Sequence, residues 1–101
     1  MAQVYAKLWR VRGEVLVAIC DEEFLGRRFE DKEQMLVFEV RESFYNGGKM
    51  GVDEAIKLLR QATLANLTGP RITEAAVKAG YIDKPGVAVI CGIPHAQIVK
   101  M

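Results

Sequence analysis

One histidine, one tryptophan and two cysteines are all that the chain holds of these residue types, and each scarcity closes off a class of function. Cys20 and Cys91 stand far apart in no CxxC pair, which excludes a disulfide-stapled scaffold and a metal knuckle. No apolar run is longer than Val15 to Cys20, well short of the roughly 20 residues of a membrane-spanning helix. The start, Met1-Ala2-Gln3-Val4, reaches Lys7 and Arg10 without the apolar stretch of a signal peptide, so a cytoplasmic location and no membrane partner are expected. Fourteen basic and 13 acidic side chains leave a net charge of +1, too little to seek nucleic acid by bulk electrostatics; any such contact needs a local patch. The phosphate-loop, GxGxxG, HExxH and GxSxG patterns are all missing. The reading therefore leans away from an enzyme, with no cofactor and no metal.

What is there suits one globular domain over residues 1–101, with 50% hydrophobic and 27% charged residues. Val4–Val11 and Val15–Cys20 read as a β-hairpin about Arg12-Gly13, the second strand apolar on both faces and hence central. Asp21 is placed to cap a short helical turn ending at Gly26. Met35–Val40 alternates as a third strand, and Phe44 to Lys49, with two glycines, reads as a loop. From Asp53 as N-cap, Ala55, Ile56, Leu59, Ala62, Thr63 and Leu67 recur at helical spacing up to Gly69. Pro70 opens a second helix that stops at Gly80, giving a helical hairpin. Val87–Cys91 reads as a buried strand and Ala96–Lys100 as a last one, joined by Gly92-Ile93-Pro94-His95. The fold class is α+β, a mixed or mainly antiparallel sheet in the order β-β-β-α-α-β-β, with the hairpin of helices packed on one face.

Three polar, glycine-punctuated segments form a candidate surface. His95 is the one side chain able to exchange protons near neutral pH, and Gly92 and Pro94 would hold it beside Gln97 at a strand entrance. Glu42, Ser43, Tyr45 and Asn46 precede the Gly47-Gly48 pair beyond a strand end, a favoured place for ligands. Asn66 and Arg71 flank a helix start whose N–H groups could receive a phosphate or carboxylate. Each segment also has a plain structural role as a cap, turn or core anchor, so only their convergence would make a site. A serine–histidine hydrolase from Ser43 and His95 lacks an oxyanion signature. Zinc held by Cys20, Asp21, Cys91 and His95 is disfavoured, because thiols at the ends of apolar strands behave as small hydrophobes. Separately, Tyr5, Lys7 and Trp9 share a strand face, with Arg10 and Arg12 beside the turn. Such a strip can stack bases and hold phosphates, or it can form half of the core.

The stretches Ala18 to Gly26, Glu42-Ser43-Phe44-Tyr45, Ala65-Asn66-Leu67-Thr68-Gly69 and Gly92 to Gln97 together resemble an archaeal family of small proteins, domain of unknown function four-two-four. The resemblance spans nearly the whole chain. It implies an archaeal, intracellular, single-domain protein with no established activity, so no catalytic role passes to any residue. The expected function is a non-enzymatic binding module, with RNA or a ribonucleoprotein as partner. The alternatives are a small-molecule site or enzyme around Ser43, Asn66 and His95, and a protein-interaction domain or homodimer.

Overall fold

The computed structural model describes residues 3–100; Met1 and Ala2, read above for targeting, and Met101 lie outside them. Its strands are β1 (Gln3–Val11), β2 (Glu14–Asp21), β3 (Arg28–Asp31), β4 (Leu36–Glu39), β5 (Lys49–Gly51), β6 (Leu64–Thr68), β7 (Ala88–Ile90) and β8 (Ile93–Val99). The helices are α1 (Glu42–Tyr45), α2 (Val52–Leu58) and α3 (Pro70–Lys78), with 3₁₀ turns at Glu22–Phe24 and Lys84–Gly86. Six strands make one sheet in the order β5-β1-β2-β6-β8-β7, and β3 and β4 form a separate ribbon. Among the described residues of this sheet only the β2–β6 pair is parallel. The α+β class and the mixed sheet are as the sequence predicts.

The order of elements differs in one consequential place. The helical spacing from Ala55 to Leu67 is real only as far as α2, after which the chain turns at Leu59–Gln61 and extends as β6. The two helices are therefore separated by a central strand and form no hairpin. Thr63 makes the switch: its hydroxyl pairs with Val15 N and Val15 O, and its own N–H donates to Val15 O at 2.8 Å. Those tertiary bonds dock the segment beside β2. Ala62, Thr63 and Leu67 also fall at helical spacing, which masks the alternation of the strand.

Smaller corrections follow similar lines. Position Gly51, not Asp53, caps α2. Glu42–Tyr45 is a turn of helix rather than loop. Gly47 and Gly48 then lie against β1, with Gly47 N donating to Ala6 O and Ala6 N to Gly48 O. A Cβ at Gly47 would stand 2.5 Å from Ala6 O, so the glycine serves close approach. At the other end the turn is Cys91-Gly92, both at positive φ as a two-residue hairpin requires. Pro94 and His95 consequently belong to β8, and β7 is an edge strand with Val89 68% exposed rather than a buried one.

Two apolar clusters lie on opposite sides of the sheet. Val4, Val17, Ile19, Leu67, Leu59 and Ile72 pack beneath α2 and α3; burying each such side chain stabilises by about 1.5–3 kcal/mol. On the other side Ala18, Cys20, Val40 and Tyr45 pack with Tyr5 of β1 and are covered by Phe24, Phe29, Phe38 and Phe44, from the first 3₁₀ turn, the β3–β4 ribbon and α1. That second cover is partial, and it decides what the face can do.

Candidate binding face

Pairing registers place the face away from α2 and α3 in three cross-sheet rows. The first runs Tyr5, Cys20, Thr68, His95; the second Lys7, Ala18, Asn66, Gln97; the third Trp9, Leu16, Leu64, Val99. The first row is covered. Tyr45 is buried over it with its hydroxyl 3.0 Å from Thr68 Oγ1, and Phe38 meets the His95 ring edge-on at 5.5 Å. Of the other rows, Gln97 and Val99 are exposed and Leu16, Leu64 and Asn66 half-buried. The open half of the sheet is thus an apolar row beside a pair of neighbouring amides.

The polar segments picked out from sequence converge in part. Tyr45, Asn66, His95 and Gln97 meet on this one face, because β6 and β8 pair in register. Glu42, Ser43 and Asn46 stay on the exposed side of α1, where Asn46 Nδ2 donates to Glu42 Oε1 at 3.3 Å. No serine, carboxylate or other hydrogen-bond partner meets the His95 ring among the described residues. Ser43 thus lies on the exposed side of α1 while Phe38 covers the His95 ring, and the two do not form a hydrogen-bonded pair among the described residues. Among the described residues no three His, Cys, Asp or Glu side chains stand close enough together to hold a metal, so the zinc arrangement does not form.

The start of α3 is occupied from within. Asp21, fully buried, accepts Arg71 N at 2.8 Å and Ile72 N at 3.0 Å. It caps this helix from the end of β2 and makes no cap bond to its own 3₁₀ turn. Arg71 Nη1 donates to both oxygens of Glu23, at 2.6 and 2.8 Å. Both the amide groups and the guanidinium expected to receive an external anion are taken by the protein's own carboxylates.

The aromatic-basic strip is also committed internally. Lys7 Nζ donates to Ser43 O at 2.8 Å and lies 4.1 Å from the centre of the Trp9 ring. Trp9 stacks on Phe44 and donates Nε1–H to Phe44 O at 3.2 Å. Together they brace α1 against β1. Tyr5 sits in the second cluster, Arg10 reaches Gln61 Oε1 at 3.5 Å and Arg12 lies in the β1–β2 turn. What sequence reasoning missed is the third row. Its signal was the alternation of Leu64, Asn66 and Thr68 against Ala65 and Leu67, masked by the helical spacing that the same residues satisfy.

Titration follows burial. Burial pushes the His95 imidazole below its usual 6.5. Burial lifts Asp21 above its usual 3.8, opposed by its two N–H bonds. The unfolded chain takes a proton on its histidine before the folded one, so stability is lost as pH falls through about 6.5 toward the folded value. Asp21 has the opposite sign: the folded state holds the proton first, so its contribution rises as pH falls toward 3.8 and is lost above the folded value. Urea midpoints between pH 7.5 and 5 should decline for the parent protein and flatten for His95→Gln. Equal slopes in the two proteins would refute the assignment.

A family model described as "Protein of unknown function (DUF424)" matches residues 9–101. Among solved structures, the chain is similar to an uncharacterized conserved protein from Methanopyrus kandleri, with a TM-score of 0.83 and 27% identity. That likeness covers 99% of this chain and 95% of the other. No curated protein matches.

Proposed function

The chain belongs to the DUF424 family of proteins of unknown function, and on that footing we propose that it is a non-catalytic binding module whose open half-sheet receives a protein partner. The observation that carries this reading is the aliphatic run Leu16, Leu64 and Val99 of the third row, continued by Val11 at the strand end. Val99 is 67% and Val11 56% exposed. Half-buried Leu16 and Leu64 between exposed Val11 and Val99, with Lys7 and Glu14 alongside, form the apolar centre and polar rim of a recognition patch. Asn66 and Gln97 supply donors and acceptors that fix register. Arg10 and Arg12, exposed at the hairpin end, favour an acidic border on the partner.

RNA is a second reading, supported by the neighbouring amides of Asn66 and Gln97, which could read a base edge on this face. The cation of the strip is already engaged, so phosphate contact would rest on Arg10 and Arg12, and affinity would be modest and strongly salt-sensitive.

Val99→Glu tests both. A purified protein partner recovered by affinity should bind this variant at least tenfold more weakly in calorimetry, with partner-induced amide shifts confined to β1, β2, β6 and β8. Shifts confined to α2 and α3, or unchanged affinity, would overturn the reading. Shifts on the same face with single-stranded RNA at low salt would move the assignment to RNA. A concentration-dependent mass in sedimentation, lost in Val99→Glu, would make the partner a second copy.

A further inference from the structure

A groove of about 570 Å³ lies on the opposite side of the sheet, between α3 and the segment Lys84 to Val87 that leads into the edge strand β7. The helix offers it Pro70 and Val77, the far wall is Val87, and Pro94 of β8 lies between them. Strand alternation puts Val89 on the same side as Val87, and it is 68% exposed just beyond the groove.

One residue beside the groove, Val89, has main-chain groups free to pair, whereas Val87 N already donates to Lys84 O at 3.1 Å. Pro94 faces Val89 across the β7–β8 pair, and Pro94 O accepts Gly69 N on the β6 side. In an antiparallel ladder both main-chain polar groups of a residue point the same way. Pro94 therefore spends nothing on β7, and the N–H and C=O of Val89 point away from the sheet. Charge adds a direction. Lys78 is paired with Glu74 at 3.3 Å, whereas Lys84 at the groove's edge has no ion pair among the described residues.

We propose that this groove takes an extended aliphatic peptide carrying a carboxylate, added as a strand beside β7. Its main chain pairs with Val89, an aliphatic side chain fills the space between α3 and Val87, and the carboxylate sits at Lys84. Strand addition beside a helix-walled apolar groove is a general means of reading short peptides, with backbone bonds supplying affinity and the groove selectivity. Three features point to a peptide over a free small molecule: the outward N–H and C=O of Val89, the apolar walls of the groove and Lys84, the lining cation without an ion pair among the described residues.

Random seven-residue peptides displayed with free C-termini, and again as internal segments, test the proposal against the purified full chain. Enrichment of alternating aliphatic sequences with one carboxylate is the expected result. Enrichment only in the free-ended library assigns the carboxylate to the peptide terminus; enrichment in both assigns it to an acidic side chain. Lys84→Glu should weaken a selected peptide at least tenfold and redirect selection to basic peptides. Val89→Pro removes the outward N–H but no β7–β8 bond, and should weaken binding similarly while the amide spectrum stays folded. No enrichment, or selected peptides indifferent to both substitutions, would overturn it.

Discussion

Gly69→Ala should cost about 3–5 kcal/mol. Gly69 sits at φ 115° and ψ 155°, a region that residues with a Cβ enter only at about 1–3 kcal/mol of backbone strain. A Cβ there would also lie 2.5 Å from Asp21 Cγ and 2.6 Å from Asp21 Oδ2. Relief by loop movement is blocked on both sides. Gly69 N donates to Pro94 O at 2.8 Å, and Gly69 O accepts Thr73 N at 3.2 Å and Thr73 Oγ1 at 2.8 Å. For a domain of this size each kcal/mol moves the melting temperature by about 4–8 °C, so thermal unfolding should show a fall of at least about 12 °C. A fall below about 4 °C would mean that the β6–α3 connection yields.

Asp21→Ala should cost about 3 kcal/mol by a different route. It strands two N–H groups at the start of α3, one of them fully buried, and each orphaned buried donor costs about 1–3 kcal/mol. Asp21→Asn keeps one acceptor oxygen and the shape. Because burial already disfavours the charge of this carboxylate, asparagine should lose only about 1 kcal/mol. Denaturant unfolding of the three proteins checks the order; an asparagine variant as unstable as alanine would show that the charge itself holds the helix. Combined with Asp21→Ala, the Gly69→Ala loss should shrink, since two of the three atoms crowding the new methyl are then gone.

This lock also shows how two segments marked from sequence acquire their meaning. Asp21 read as a cap, and a cap it is, but for a helix fifty residues downstream. Gly69 and Pro70 read as a stop and a start between two helices; they are the exit of a strand and the start of a helix. Local chemistry named the residue types that a helix start needs. The partner that supplies the oxygen came from across the parallel β2–β6 pair, which no local pattern specifies.

The same division holds for the candidate face. Alternation in β1, the apolar run of β2 and the proline-led start of α3 are written in the sequence, because each element buries its own side chains at its own period. So is the α+β class, whereas which of the marked polar residues share one face is not. Their arrangement was decided by pairing. β6 inserted between β2 and β8, put Asn66 beside Gln97 and lined up Trp9, Leu16, Leu64 and Val99 across four strands. Internal bonds to Ser43, Phe44, Glu23 and Asp21 then withdrew Lys7, Trp9, Arg71 and the α3 amides from the roles their residue types suggest. Spacing along a chain records which groups are present; which of them remain free for a partner depends on long-range hydrogen bonds and cover, and those exist only in the folded molecule.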